Sequence, residues 1–64
     1  MTLKITINLD NACFIDNGIG NETDYIMIQA IKNLRKTESW HVGDKLFLKD
    51  TNGNTCGTAE FINN

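Results

Sequence analysis

Residues 2–9 constrain the fold more than any other segment, because polar and apolar side chains alternate there without exception. The apolar positions are Leu3, Ile5, Ile7 and Leu9. A period of two residues, rich in β-branched side chains, predicts a β-strand with one buried face and one solvated face. Such a strand needs neighbouring strands and a covering layer, and the rest of the chain must supply both.

One segment has helical spacing and supplies the covering layer. Residues 22–37 follow Asn21, a favoured N-cap type, and Asp24 lies three positions after it, as in a capping box. The stripe predicted to face the sheet consists of Met27, Ala30, Ile31 and Leu34. We therefore expect a single helix that covers one face of the sheet.

Two segments are predicted to be loops. Residues 10–20 contain the turn signal Asp16-Asn17-Gly18, and we expect Phe14 and Ile15 to fold back from this loop onto the core. Residues 37–44 end in Gly43-Asp44, another turn signal. The first loop is long for a plain connection, and loops of this length are commonly functional or mobile.

The C-terminal third predicts a hairpin. Residues 45–50 alternate again, with Leu46 and Leu48 on the inward face. Asn52-Gly53 favours a type I′ turn, which needs positive φ at both central residues, and residues 55–62 form the return strand. The order strand, helix, strand, strand predicts one layer of helix on one layer of sheet.

The return strand needs one irregularity to bury its apolar side chains. Ala59 and Phe61 share an inward face, but Cys56 has the opposite parity unless Gly57 marks a β-bulge. If this strand also pairs with the first, the result is an α+β domain of type β-α-β-β with an antiparallel sheet in the order 1-3-2. The alternative places strands 1 and 2 side by side and parallel, through a right-handed crossover.

The length of the chain limits its stability. A domain of 64 residues buries only about 60% of the surface that its unfolded chain exposes, and small domains often add a disulfide, a metal or a second subunit. The only Cys and His residues are Cys13, Cys56 and His41, too few for a structural zinc site. The N-terminus predicts a strand rather than a signal peptide, so we expect a cytoplasmic protein with free thiols that self-associates, most simply as a dimer.

Charge and hydropathy disfavour two classes of partner. The net charge is −2, with six Lys and Arg against eight Asp and Glu, whereas binding to nucleic-acid phosphates favours a basic surface. No stretch approaches the roughly 20 apolar residues of a membrane-spanning helix. We therefore expect neither nucleic acid nor membrane as the main partner.

Two motifs resemble chemical sites but have simpler explanations. The run Asp50-Thr-Asn-Gly-Asn54 spaces oxygen ligands as a calcium loop does, but Thr55 and Phe61 occupy the positions that need Gly and Glu, so a hairpin turn is favoured. His41 with either cysteine could form a base and nucleophile, yet no third orienting residue stands out. We expect no enzyme activity, no metal site and no cofactor.

An acidic group occupies the first loop and the start of the helix. It consists of Asp10, Asp16, Glu22 and Asp24. Such a group could steer a basic protein partner by electrostatic attraction. The alternative, which we favour, is local: Glu22 and Asp24 stabilise the positive end of the helix dipole, and the others serve turns.

Aromatic side chains are the stronger candidates for partner contacts. Phe47 has the opposite parity to Leu46 and Leu48, so it should project from the uncovered sheet face. The neighbours predicted there are Lys4, Thr6 and Lys49. Tyr25 projects from the outer side of the helix, and Trp40 either contacts a partner or closes one end of the core.

Three segments carry a resemblance to a known group of proteins: Lys4-Ile-Thr-Ile-Asn8 with Asp10-Asn-Ala-Cys-Phe14, the helix near residues 26–35, and Asp50-Thr-Asn-Gly-Asn-Thr-Cys-Gly57. They resemble small accessory proteins of bacteriophages and prophages with the patterns KITI-x-x-DNAAF and D-x-NGN-x-VG. Cys13 and Cys56 stand where that pattern has Ala and Val, which supports buried thiols. The resemblance implies a protein without enzymatic activity that binds a host protein stoichiometrically, for example to inhibit a defence system such as a CRISPR complex.

Three functional hypotheses follow from the sequence. The first is a phage-type accessory protein that binds a host protein. The second is a nucleic-acid-binding module on the open sheet face, where Lys4, Lys45, Lys49 and Phe47 would contact a strand. The third is a small enzyme or a small-molecule sensor, which so small a core makes difficult because it leaves little room for a pocket.

Overall fold

The computed structural model describes residues 1–64 and consists of three strands and two helices. In chain order these are β1 (Thr2–Ile7), α1 (Ala12–Asn17), α2 (Ile19–Leu34), β2 (Lys45–Lys49) and β3 (Thr55–Ile62). The sheet has the order β1-β3-β2, and both strand pairs are antiparallel. The predicted α+β class, strand order 1-3-2 and helical layer are confirmed, and the parallel alternative is wrong.

The segment before the main helix is itself helical, which corrects the predicted loop at residues 10–20. α1 begins after Asn11, whose carbonyl accepts a hydrogen bond from the Phe14 N–H (3.0 Å), and α2 follows after a single residue. That residue is Gly18, with a φ of 86°, a conformation that ends helices at low cost only when the residue is glycine. The turn signal at residues 16–18 therefore marks a helix boundary instead of a loop.

α2 turns a different face to the core than its apolar stripe predicts. Its buried residues are Glu22, Ile26 and Ala30, spaced four apart along one side. Of the predicted stripe, Ala30 is buried as predicted, whereas Met27 and Leu34 are half-buried and Ile31 is exposed, so these three lie on the flank of the contact. The helix is rotated because hydrogen bonds hold a buried carboxylate, Glu22, against the hairpin.

The core lies between α1, α2 and the hairpin. Its members are Phe14, Ile26, Ala30, Leu48, Cys56 and Ala59, with Ile7 and Leu46 packed at the margin. Phe14 is buried as predicted, but Ile15 is exposed, since it lies on the outer side of α1. Only 10 of 64 residues are buried, which is a small core even for a chain of this length.

The predicted bulge in β3 is confirmed. Leu48 is paired with Gly57 and the next residue, Lys49, with Thr55, so Cys56 is the extra residue. The bulge lets Cys56, Ala59 and Phe61 all be buried. A Cβ at Gly57 would collide with the Thr6 carbonyl oxygen and lie 3.0 Å from the Ile7 Cα, so the site requires glycine.

The hairpin turn differs in detail from the prediction. Residues 50–54 connect the strands, with hydrogen bonds from the Gly53 N–H to the Asp50 carbonyl and from the Asp50 N–H to the Asn54 carbonyl. Only Gly53 has a positive φ, 83°, so the turn is not type I′. The signal at Asn52-Gly53 located the turn correctly but not its type, because a longer loop needs only one left-handed residue.

The helix-facing side of the sheet is incompletely covered at β1. α2 packs on β2, while β1 lies at the far edge of the sheet. The exposed fractions of Leu3 and Ile5 are 39% and 36%, and Leu9 is also exposed, so the predicted buried face of β1 is wrong for these residues. The Cα radius of gyration is 12.2 Å against about 10.7 Å expected for a compact chain of this length, which agrees with incomplete covering.

Candidate protein-binding site

A groove lies between one flank of α2 and the β2 edge of the sheet. It has a volume of about 240 Å³ and is lined by Tyr25, Ile26, Gln29, Ala30, Asn33, Phe47, Leu48 and Lys49. The buried residues of this lining, Ile26, Ala30 and Leu48, are apolar, and the more exposed ones include two amides, a phenol and an ammonium group. A hydrophobic centre with a polar rim is the general composition of protein-binding patches.

Phe47 forms one wall of this groove. It is paired with Thr58 of β3, and its neighbours in β2, Leu46 and Leu48, point to the core side. The exposed fraction of Phe47 is 62%, so the prediction that it projects away from the core is confirmed. Tyr25, on the opposite wall, is 38% exposed, and two partly exposed aromatic side chains therefore line one concave surface.

The backbone of β2 adds hydrogen-bonding capacity beside the groove. The Phe61 N–H donates to the Asp44 carbonyl (2.9 Å), and in an antiparallel pair the residues that bond the neighbouring strand alternate. Leu46 and Leu48 therefore bond β3, and the N–H and C=O of Phe47 point outward. An extended peptide can add to such an edge and place alternate side chains in an adjoining groove.

The open face of the sheet is more polar than the groove. Lys4, Thr6, Thr58 and Glu60 surround a shallow hollow there, and Lys45 forms an ion pair with Glu60 (3.2 Å). Lys4 belongs to β1 and Phe47 to β2, at opposite edges of the sheet. The structure therefore brings together Phe47, Lys49 and Tyr25 of the predicted contact residues but keeps Lys4 apart from them.

Trp40 closes one end of the core. Its ring stacks on Phe61, with centroids 5.1 Å apart and an interplanar angle of 11°. Its Nε1–H donates to the carbonyl of Leu34, the last residue of α2 (3.2 Å). Of the two alternatives for Trp40, contact with a partner or closure of the core, the geometry supports closure.

The acidic residues do not form one surface cluster. Asp16 and Asp24 are exposed, but Glu22 is only 1% exposed. Glu22 accepts hydrogen bonds from the Thr51 N–H (2.8 Å), the Thr51 hydroxyl (3.2 Å) and the side-chain amide of Asn17 (2.9 Å). Glu22 thus joins α2 to the hairpin, and it also lies in the first turn of α2, as the helix-dipole interpretation predicts. A carboxylate that is 1% exposed presents no surface charge to steer a partner.

Asp50 makes the matching connection from the hairpin side. It is 1% exposed, and its Oδ1 accepts the N–H groups of Asn52 and Asn54, both at 2.9 Å. Its Oδ2 accepts from the side-chain amide of Asn11, the residue before α1 (2.6 Å). The carboxylate organises the turn and ties it to the helices, and no group of three or more His, Cys, Asp or Glu is arranged to hold a metal.

The two cysteines are buried free thiols near this network. Cys13 Sγ accepts hydrogen bonds from the Asn52 side chain (3.1 Å) and the Thr51 hydroxyl (3.6 Å). Burial, together with the nearby Asp50 and Glu22 carboxylates, raises the pKa of the Cys56 thiol above that of an ordinary cysteine. His41 lies beside Asp44, which adjoins Phe61 at the other end of β3, so the structure does not bring it to Cys56.

Gln29 and Asn33 are groove residues that the sequence analysis did not single out. Together with Tyr25 they are spaced four residues apart and form one row along α2. The row was visible in the sequence. Its position over the β2 edge depends on the rotation of α2 about its axis, which the buried Glu22 sets.

Comparisons of the chain with protein-family models, with curated proteins and with solved structures found no match. Neither helix has the length and apolar character that crossing a bilayer requires.

Proposed function

We propose that this protein acts by binding another protein in a stoichiometric complex through the groove between α2 and β2. The observation that carries the proposal is that the exposed Phe47 and the partly exposed Tyr25 line the same groove, beside a strand edge with a free backbone. Aromatic side chains in concave patches are frequent anchors of protein interfaces, because they bury a large area at low entropic cost.

The β2 edge beside the groove favours an extended segment with acidic side chains as the part of the partner that binds. Phe47 lies between Lys45 and Lys49 on the edge strand, so a strand paired with β2 meets a positive charge on either side of an aromatic residue. Opposite charges directly across a strand pair are stabilising, and like charges are destabilising. A partner strand with acidic, apolar and acidic residues at successive alternate positions complements Lys45, Phe47 and Lys49.

The resemblance to phage accessory proteins supports a host protein as the partner. We propose inhibition of a host defence assembly, such as a CRISPR complex, in the cytoplasm of the host cell. Neither catalysis nor a cofactor is needed for this role, because occupying a surface of the target is sufficient.

The open sheet face gives a second, weaker candidate, which is binding of single-stranded nucleic acid. Phe47 and three lysines border this face, but Glu60 occupies its centre and pairs with Lys45. The net charge of −2 also opposes attraction to phosphates. Binding to single-stranded oligonucleotides that weakens as salt is added would favour this candidate over the first.

The test is capture of partners from a bacterial host lysate by the wild type and two variants. Phe47→Ser removes the aromatic wall of the groove, whereas Val42→Ser removes an equally exposed apolar side chain outside it. We expect one host protein to bind the wild type and Val42→Ser equally and to bind Phe47→Ser about 30-fold more weakly, the effect of losing an interface anchor worth about 2 kcal/mol. Capture of no specific protein, or equal capture by all three, would contradict the proposal.

A further inference from the structure

The opposite edge of the sheet, β1, has a free backbone and exposed apolar side chains. The Asn8 N–H donates to the Cys56 carbonyl (2.7 Å), and the bonding residues alternate along an antiparallel pair. Thr6 and Lys4 therefore bond β3, while the N–H and C=O groups of Leu3, Ile5 and Ile7 point outward. These three alternate residues of β1 thus offer backbone hydrogen-bond donors and acceptors that have no partner in the sheet.

The side chains of the same residues form an apolar strip on the helix-facing side. Leu3 is paired with Phe61 and Ile5 with Ala59, both of which are buried, so all four lie on that side of the sheet. The part of α2 that faces away from the groove carries Met27, Ile31 and Leu34, which are half-buried or exposed. The strip on β1 and this flank of α2 are therefore neighbouring apolar surfaces, and Leu3 and Ile5 remain more than one third exposed.

The two edge strands are protected differently against pairing. β2 has five residues, two of them lysines, which disfavour pairing with a second copy of the same edge although they admit an acidic strand. β1 has six residues and a single lysine, Lys4. A longer edge with fewer charges and an exposed apolar side is a template for another strand.

We propose that β1 is the site of homodimerisation and that it pairs antiparallel with β1 of a second copy, with Ile5 opposite Ile5. This inference concerns the edge opposite the groove and does not depend on the proposed function. The occupant is a second copy because the strand can pair with itself so that its outward backbone groups are bonded and no like charges oppose each other. In this register Leu3 is opposite Ile7, and all three outward residues of each copy are hydrogen-bonded.

Charge selects this register over the neighbouring register in which Leu3 lies opposite Ile5. Residues whose backbone groups point outward must lie opposite one another in the two copies. The pairing can therefore shift only so that outward residues of one copy again oppose outward residues of the other. A shift that places Leu3 opposite Ile5 also places Lys4 directly opposite Lys4, where like charges repel. With Ile5 opposite Ile5, Lys4 lies across from Thr6, and no charged pair is formed.

The resulting dimer is a continuous six-stranded sheet with a two-fold axis at its centre. The apolar strips of both copies meet between the two α2 helices, which stand at either side because each packs on its own β2. Isologous pairing of this kind closes the edge and stops further addition at β1. The dimer would give the small subunit the additional buried surface that its 10 buried residues do not provide.

Sedimentation equilibrium of the whole chain tests the proposal. At a protein concentration of roughly 100 µM we expect a mass twice the 7.2 kDa of one chain, with dissociation on dilution as mass action requires. Ile5→Pro removes an outward N–H without breaking a bond to β3, because Pro is tolerated on the free side of edge strands. It should weaken the dimer at least about 50-fold and keep the circular dichroism of the folded subunit, whereas Phe47→Ser should leave the dimer unchanged.

A second pair of variants tests the register and does not require Ile5→Pro to fold. Thr6→Lys places a lysine opposite Lys4 twice per dimer and should raise the dimer dissociation constant about fivefold, from the cost of like charges across a strand pair. Thr2→Lys introduces the same charge opposite Asn8 and should have little effect. Equal effects of the two variants would contradict the register.

Two other results would overturn the assignment. A wild-type mass of 7.2 kDa at all concentrations would show that the edge does not recruit a second copy. A dimer that resists Ile5→Pro but is lost in Phe47→Ser would place self-association at the groove instead. Either result leaves the capture experiment on Phe47 interpretable, since that experiment measures a host protein rather than the mass of the chain.

Discussion

The hairpin end of the molecule and the β1 edge differ in how completely their side chains are covered. At the hairpin end, two carboxylates, Glu22 and Asp50, are each 1% exposed and are fully hydrogen-bonded. At the β1 edge, two aliphatic side chains, Leu3 and Ile5, remain more than one third exposed. Buried acids and exposed aliphatics are the reverse of what side-chain polarity alone predicts.

This difference shows that the position of the helices decides burial. Asn11 bonds Asp50 before α1, and Asn17 and Thr51 bond Glu22 at the start of α2. These bonds fix both helices to the hairpin, and so α2 lies over β2 and cannot also cover β1. The polar network at one end is therefore the structural reason for the uncovered edge at the other.

The largest expected contrast comes from the same substitution in the two regions. Ile26→Ala removes a side chain that is fully buried in the core and should lower the free energy of unfolding by about 4 kcal/mol. Ile5→Ala removes a partly exposed side chain and should cost only about 1 kcal/mol. Urea unfolding of protein diluted to about 1 µM, where self-association is weak, measures both values. Equal costs would mean that β1 is covered within the subunit.

A smaller effect should follow from breaking the network at the hairpin. Asp50→Ala removes the acceptor of two backbone N–H groups and the Asn11 amide, and should cost about 2 kcal/mol. Asp16→Ala deletes an exposed carboxylate with no side-chain hydrogen bond to another element, and should change stability by less than about 0.5 kcal/mol. If the two variants unfold at the same urea concentration, the buried acid does not hold the helices in place.

The sequence predicted the sheet well, because its signals are local. Alternation at residues 2–9, the Asn52-Gly53 turn and the parity of Cys56 predicted the three strands and the bulge, and left the strand order between two alternatives. The exposed position of Phe47, which is part of the candidate site, followed from its alternation with Leu46 and Leu48.

The helices and the uncovered edge could not be predicted in the same way. Gly18 carries a signal that is common to turns and helix ends, so α1 was mistaken for a loop. The burial of Glu22 depends on Thr51, which is 29 residues away, and periodicity within α2 contains no information about that contact. The groove and the exposed Leu3 and Ile5 follow from where α2 is held.

Amide hydrogen exchange along β1 is the most direct test of the central claim, that the helices leave this edge bare. In dilute protein we expect the N–H groups of Lys4 and Thr6, which bond β3, to exchange at least about 100-fold more slowly than that of Ile5, which points outward. Raising the protein concentration should then slow the exchange of Ile5 as the second copy binds. An Ile5 amide that is as protected as its neighbours at every concentration would contradict the account, because the edge would then be covered within a single subunit.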